Sequence, residues 1–414
     1  MFADISFPIS SYQVFTYKIP NDLKSQLSIG MRVTAPLGSR NVKGIIVDIK
    51  TKTNFMGSIK SITNMVDDRP VLDKKLWQLI QWLSKYYNCP LGISAKTVLP
   101  NNLSMKYKLK TQLYVKAINN DYDLLSRAKI QKGVYKYLKT KKTLVPVNSL
   151  INLCSNPNDI CKELCAKGFV ELVKKPILPK LAGLTFDPIY KDIQFTEDQR
   201  LAIKNIFSAI DSNQFKSFLL HGVTGSGKTE IYIEAARHVL KKNKTVIILL
   251  PEIALTPQIA GRFKAVFGEE VAVWHSKLSQ SARSWTWKKI CLGKYKVVIG
   301  ARSSIFVPLK NIGMIIVDEE QEDSYKQESP DPRYHARDVA LIRGKINKAT
   351  VVLSSATPSL ESYYNSKIKK LDYIYLSQRF SGNYPTVDIV DMIKESKESG
   401  KYGEIFSKLL IEKI

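Results

Sequence analysis

The spacing of apolar positions changes along the chain. From residue 191 onward, nearly continuous Val/Ile/Leu runs recur at 217–222 (SFLLHG), 245–251 (TVIILLP), 271–276 (VAVWHS), 296–301 (KVVIGA), 314–319 (MIIVDE) and 350–355 (TVVLSS), with helix-compatible stretches between most of them. Strands without polar alternation are those buried on both faces of a parallel sheet, so this half predicts one doubly wound α/β unit. The first hundred residues instead alternate short apolar runs with Gly, Pro and Asn (SYQVFTYKIP, GMRVTAPLGS, NVKGIIVDIK), the pattern of a small β-barrel or sheet. Between Asp73 and Tyr87, Leu76, Leu79, Ile80 and Leu83 fall at i, i+3, i+4 and i+7, which predicts a helix packed on that barrel. Residues 126–175 carry helical candidates at QKGVYKYLKTKK, at Val147 to Leu153 and at NDICKELCAKG, then the strand-like FVELVKK. Three helices closed by a hairpin strand predict a winged helix. A Pro-rich stretch, KKPILPKLAGLTFDP, reads as a linker.

Charge adds a class of partner to this outline. Lys plus Arg number 63 against 37 Asp plus Glu, a net of +26, and residues 1–190 hold 29 basic against 12 acidic residues. An acidic polymer is the expected partner, although 50 of the 63 basic residues are Lys, a skew that an AT-rich coding sequence produces unaided. The cluster Lys129, Lys132, Lys136, Lys139, Lys141 and Lys142 fits contact with phosphates and equally fits a solvated basic face. No run of 18 apolar residues occurs, and the start Met1-Phe2-Ala3-Asp4 has neither region of a signal peptide, so a soluble, cytoplasmic location with no membrane contact is expected. The five Cys are irregularly spaced, and CNPNDICKELC lacks the paired short spacings of a zinc site.

The chemistry concentrates in the α/β half. Gly222-Val223-Thr224-Gly225-Ser226-Gly227-Lys228-Thr229-Glu230 contains G-x-x-x-x-G-K-T directly after an apolar run and before the helical stretch IYIEAARHVLKK. Glycines there let successive N–H groups converge on phosphate oxygens, with the helix start adding positive potential. Lys228 then reaches the β/γ-phosphates of ATP, and Thr229 ligates Mg²⁺. Downstream, IIVDEEQ delivers Asp318 and Glu319 to the carboxyl end of a strand, where ligands of open α/β sheets bind. Asp318 is expected to hold Mg²⁺, and Glu319 to orient and deprotonate the attacking water. Ser354-SATPS-Ser359 follows another strand and fits a tight loop linking this site to a neighbour.

The ordered set FTEDQ, GVTGSGKTE, PEIALTPQ, ARSSIFVP, VDEEQ and SSATPS resembles the motor signature of superfamily 2 helicases. Within that class HGVTGSGKTE, PEIALTPQ, DEEQEDSYKQ and RYHARDVA resemble the PriA (primosomal protein N′) family of replication-restart helicases, over essentially the whole chain. The resemblance implies a P-loop (RecA-like) lobe preceded by a small β-rich 3′-end-binding domain and a winged helix. Its expected bounds are 1–105, 106–180, a linker at 181–190, 191–377 for the ATP-binding lobe, and 378–414 for the start of a second lobe. The implied function is ATP-driven 3′ to 5′ translocation on forked or single-stranded DNA. Primosome proteins, single-stranded-DNA-binding protein and the replicative helicase are the implied partners, in a nucleoid-associated cytoplasmic setting.

Residue by residue, the resemblance places Gln199 at the adenine edge. It places Thr256 and Gln258, and Arg302 and Ser303, along single-stranded DNA, and Phe15 and Tyr17 at a DNA 3′ end. The segment Tyr325 to Asp338 matches an aromatic-rich loop that couples DNA contact to ATP hydrolysis. There Tyr325, Tyr334 and His335 are expected to stack on bases, and Lys326, Arg333 and Arg337 to meet phosphates. The chain departs from the family at Gln321, where His is usual, and at Thr16, where a carboxylate is usual. It also departs at Ala301, where Thr is usual. The family's zinc module, with its paired Cys-x-x-Cys, and its arginine-finger lobe have no counterpart here. The alternative expectation is therefore a non-catalytic, fork-binding fragment or remnant.

Overall fold

A computed structural model describes residues 1–53, 55, 57–100, 103, 111–118, 128–141, 143–176, 194–252, 257–276, 278–379, 387–400 and 405–413. The linker expected at 181–190 lies outside them, as do Thr256 and the side chain of Gln258.

The amino-terminal unit is built from β1 (Phe2–Ser6), β2 (Phe15–Lys18), β3 (Arg32–Leu37), β4 (Arg40–Lys50) and β5 (Asn64–Met65). They form one antiparallel sheet in the order β2-β1-β4-β3-β5. Ala3, Ile5, Val33, Ala35 and Ile46 close its core. Two helices follow, α1 (Lys74–Tyr86) and α2 (Leu91–Val98). α1 begins where Asp73 Oδ1 accepts a hydrogen bond from Leu76 N at 2.7 Å, a side-chain cap contributing about 1 kcal/mol. Its buried stripe Leu76, Trp77, Leu79, Ile80 and Leu83 is the one the spacing predicts, but its neighbour differs. Although Ile45 of the barrel reaches this core, most of the stripe packs into the large cluster shared with the α/β unit. α1 thereby buries its stripe in the α/β unit's core.

The next unit holds β6 (Thr111–Ala117), α3 (Lys129–Thr140), β7 (Val145–Pro146), a 3₁₀ helix Val147–Asn152, α4 (Pro157–Ala166) and β8 (Val170–Pro176). Its sheet order is β7-β6-β8, all antiparallel, around Val134, Tyr135, Leu138, Leu150 and Leu164. Two details differ from expectation. The middle helical candidate is a 3₁₀ turn, consistent with the Pro146 cap before it and only six residues of length. The strand FVELVKK closes no hairpin and pairs instead with β6, a strand lying before the first helix.

The α/β unit runs α5 (Glu197–Asp211), β9 (Lys216–Gly222), α6 (Lys228–Lys241), β10 (Thr245–Leu249), α7 (Pro257–Phe267), β11 (Val271–Trp274), α8 (Gln280–Cys291), β12 (Val297–Gly300), β13 (Ile312–Val317), α9 (Ala336–Asn347), β14 (Thr350–Ser355), α10 (Leu360–Lys367) and β15 (Asp372–Leu376). The seven strands are all parallel, ordered β11-β12-β10-β13-β14-β9-β15. α5, α6 and α7 cover one face; α8 and α9, joined by α1 and α2, cover the other. Two short helices follow, α11 (Met392–Ser399) and α12 (Lys408–Lys413). No helix among the described residues is long and apolar enough to cross a membrane.

Candidate nucleotide site and its neighbouring loop

β9 ends at Gly222 and α6 opens at Lys228, so the phosphate loop is the strand-to-helix turn itself. Gly225 and Gly227 have φ of +81° and +79°, backbone that an L side chain resists, and a Cβ on Gly227 would lie 2.4 Å from Gln199 Nε2. Thr224 and Gly225 form the exposed rim, Thr229 is half-buried in the first helical turn, and Ser226 N donates to Val223 O at 3.0 Å. The hydroxyl of Ser226 is buried without a hydrogen-bond partner, an orphan polar atom inside an anion-shaped turn. Lys228 Nζ donates to Gly222 O at 2.8 Å and stands 3.7 Å from Glu319 Oε1. Glu230 turns aside to pair with Arg262 of α7.

Gln199 is 2% exposed. Its Oε1 accepts from Thr196 N (2.9 Å), completing a capping box, and its Nε2 donates to Ser226 O (2.8 Å). The amide expected at an adenine edge thus ties α5 to the phosphate loop.

Asp318 and Glu319 stand in the turn just past β13, two strands from β9 in the sheet. Asp318 Oδ1 accepts from the Tyr232 hydroxyl at 2.7 Å, and the same hydroxyl meets Ser354 Oγ. Burial pushes the Asp318 carboxyl up to about 6, against the Tyr232 hydrogen bond that lowers it. Glu319 adopts φ +46°, a strained conformation for a non-glycine residue and one that clusters at functional sites. Its Oε2 accepts from Gln321 Nε2 at 3.0 Å, while Gln321 Oε1 accepts from Ser355 Oγ at 2.6 Å. The amide at position 321 therefore joins the second acid to the Ser354–Ser359 loop.

Glu320 points the other way. It is fully buried and accepts from Arg337 Nη1 (3.0 Å), Ser359 N (2.8 Å), Ser359 Oγ (3.0 Å) and Ser362 Oγ (2.7 Å). Sequence reasoning passed over Glu320 and Tyr232. The available signals were an acid inside the tetrad with no assigned role, and a Tyr one helical turn beyond Lys228 on the same face.

The aromatic-rich loop requires correction. Tyr325 and Tyr334, expected to stack on bases, are each 1% exposed. The Tyr325 hydroxyl donates to Asp318 O at 2.6 Å, and Tyr334 packs edge-to-face on Phe306 at 5.0 Å. Both rings fill the core below the loop, where two large apolar faces bury more surface than solvent-facing stacking would. Arg337 is held by Glu320 and Ser359 Oγ, so its guanidinium faces inward rather than toward a phosphate. His335 caps α9, its Nδ1 accepting from Arg337 N at 3.3 Å, and burial lowers its pKa. Its backbone N–H donates to the Tyr87 hydroxyl at the end of α1, at 3.0 Å. Lys326 and Arg333 remain exposed, Lys326 Nζ 5.7 Å from the Tyr87 ring centroid and Arg333 beside Asp331 at 3.2 Å.

Arg302 donates to Lys326 O and Ser303 is exposed. Ser303 lines a cleft of about 500 Å³ between the first unit and the lobe, with Lys96, Thr97, Arg283, Gln327 and Asp331. Phe15 and Tyr17, on β2, do not line this cleft; both rings pack edge-to-face on Phe7, whose neighbour Pro8 does. Tyr17 is 5% exposed, its hydroxyl donating to Pro36 O at 2.9 Å, so its ring is core. Thr16 Oγ1 donates to Asp4 Oδ1 at 2.7 Å.

A family model for the 3′ DNA-binding domain (3'BD) matches residues 4–100, and a DEAD/DEAH box helicase model matches residues 196–365. The replication restart protein PriA of Chlamydia muridarum is 37% identical over 433 residues, covering 100% of this chain and 56% of its own length. The chain belongs to the PriA family. PriA of Bacillus subtilis is 35% identical over 488 residues, covering 100% of this chain and 60% of its own. PriA of Haemophilus influenzae is 32% identical over 419 residues, with 97% and 55% covered. The chain thus spans little more than half the length of the PriA relatives it matches. The Tyr87–His335 hydrogen bond joins the two segments matched separately by the family models.

Proposed function

We propose that the chain is the nucleotide-binding and DNA-binding front part of an ATP-dependent 3′ to 5′ helicase of the PriA type, acting on forked DNA so that stalled replication restarts. The observation carrying this reading is the convergence of the glycine turn, Lys228, Thr229, Asp318 and Glu319 at the carboxyl edge of one parallel sheet. The buried, unpartnered Ser226 hydroxyl supports a phosphate oxygen as the missing partner. Lys228 would exchange the Gly222 carbonyl for the β/γ-phosphates, and Thr229 and Asp318 would hold the metal. Bound there, Mg²⁺ would offset charge on the phosphate oxygens. Glu319, fixed by Lys228 and Gln321, orients the attacking water and accepts its proton. Gln321 passes the position of that acid to Ser355, the first link from hydrolysis toward the loop that follows β14.

Residues 1–105 act as the 3′-end-binding domain, 106–180 as a winged helix, 191–377 as lobe 1 and 378–414 as the start of lobe 2. Lys326, Arg333 and Ser303, being exposed, carry the strand contacts on the lobe. The setting is cytoplasmic and nucleoid-associated, with primosome proteins, single-stranded-DNA-binding protein and the replicative helicase as partners. Zinc would need ligands elsewhere, since no group of three or more His, Cys, Asp or Glu among the described residues is placed to hold a metal ion.

ATP turnover of the 414-residue chain with and without forked DNA, beside Lys228→Ala, tests the reading. DNA-stimulated turnover abolished by that change is expected of a motor. Fork binding without turnover or ATP binding would leave a DNA-recognition piece.

A further inference from the structure

The unit spanning residues 111–176 distributes its charge in an uneven way. On α3, Lys129, Lys132, Lys136 and Lys139 recur with spacings of three, four and three residues. At 100° per residue they fall within an arc of about 80°, a straight stripe rising about 15 Å along the helix. Val134 and Leu138 are buried on the far side of α3 and Tyr135 beneath the edge of the stripe, while Lys129, Lys136 and Lys139 are exposed and Lys132 is half-buried. α3 contains no acidic residue. On α4, the helix that a winged-helix frame would send into a DNA groove, the one Lys, Lys162, stands between Asp159 and Glu163. Lys162 Nζ lies 3.4 Å from Asp159 Oδ1, and Lys167 Nζ donates to Gln131 Oε1 at 2.8 Å while the Gln131 amide donates to Glu163.

We propose that α3, not α4, is the docking element of this unit and that its ligand is the phosphate backbone of duplex DNA. It rests on the DNA-binding reading above only for the class of partner. The stripe favours a duplex over a single strand because the ring beneath it, Tyr135 at 5.6 Å from Lys139 Nζ, is fully buried and offers no face to a base. Sequence-independent single-strand binding relies on base stacking, whereas backbone contact with a duplex needs only cations at regular spacing. The exposed Ile130 and Tyr137 sit on the flank, roughly a quarter turn from the lysines. Acids along α4 repel phosphate, so approach from that face is unfavourable, and base reading is not part of the contact.

The test is fluorescence anisotropy of the full chain with a blunt duplex over a salt series. The variant combines Lys129→Gln, Lys132→Gln, Lys136→Gln and Lys139→Gln; the control combines Lys162→Gln and Lys167→Gln. The stripe variant should bind at least tenfold more weakly at low salt. Its log–log salt slope should be smaller by about 2–3, since each lost phosphate contact removes about 0.9. The control should match the parent. Equal loss in the control, an unchanged slope in the stripe variant, or an equal loss for a single-stranded oligonucleotide overturns the proposal. Binding of a fluorescent ATP analogue reports that each variant is folded, and its failure in the parent would count against the nucleotide site, not the stripe. If the fourfold change unfolds the chain, Lys132→Gln with Lys136→Gln should still lower the slope by about half as much.

Discussion

In the turn after β13, Asp318 and Glu319 stand partly open to the phosphate loop, whereas a few residues later Tyr325 and Tyr334 are sealed in the core. The two segments are continuous, and the Tyr325 hydroxyl holds the Asp318 carbonyl. Their difference lies in what each side chain gains from water. A carboxylate pays heavily for full burial unless it is paired, and Glu320, the buried member of the tetrad, is paired with Arg337 and three further donors. A Tyr gains from burial once its hydroxyl has an acceptor. A loop that reads as a nucleic-acid surface therefore acts here as the scaffold below the candidate nucleotide site, with its exposed cations above.

The sharpest way to break that contrast is Glu320→Ala. It takes from the Arg337 guanidinium, 12% exposed, its one fully buried carboxylate, leaving the more exposed Asp338 at 3.5 Å and Glu361 at 4.0 Å, and should destabilise the fold by about 4 kcal/mol in urea unfolding. Glu320→Gln, which keeps acceptors for the Ser donors, should recover part of that loss. A change below about 1 kcal/mol for the Ala variant would mean the pair contributes no more than a surface bridge.

Next in size is Tyr334→Ala, expected to cost about 3 kcal/mol through the cavity left against Phe306. Its exposed neighbour provides the contrast: Arg333→Ala should leave the unfolding midpoint unchanged and weaken single-strand binding. If Tyr334→Ala left stability intact and reduced only DNA binding, the ring would be the stacking group that the residue pattern first indicated.

The nucleotide turn was readable because its glycines and Lys228 constrain backbone directly, and the strands around it because burial on both faces removes polar alternation. Asp73 and the apolar spacing likewise marked α1 to within one residue at each end. What α1 packs against was not readable, since an apolar stripe specifies that something covers it and not which face. The same limit hid the inward turn of Arg337, whose partner Glu320 lies 17 residues away and looked like one more acid in a solvated turn. β15 escaped notice because its alternation, with Tyr373 and Tyr375 exposed and Ile374 and Leu376 buried, is that of an edge strand.

A third change sharpens the comparison with opposite sign. Burial raises the Asp318 carboxyl to about 6 from an ordinary 3.8, so its contribution to stability is full below about pH 4 and is lost as pH rises through 6. Asp318→Asn keeps an acceptor for Tyr232 without the charge. Without metal it should therefore be more stable than the parent by about 3 kcal/mol at pH 8, the gain vanishing near pH 4. Magnesium-dependent nucleotide binding should be lost in the same variant. Equal stabilities at pH 8 would show that the carboxylate is adequately solvated.

The smallest effect concerns the joint between the amino-terminal unit and the lobe. Tyr87→Phe removes the acceptor for His335 N–H while keeping the ring, so it should cost about 1 kcal/mol of global stability. Its larger signature should be local. His335 caps α9 two residues before Arg337, which holds Glu320 beside the two acids at the phosphate loop. Loss of the Tyr87 contact should therefore speed amide exchange in the first turn of α9 while β9 and α6 stay protected. Uniform exchange across the lobe would mean that the joint is set by the apolar packing of α1 against α9, with the hydrogen bond incidental to it.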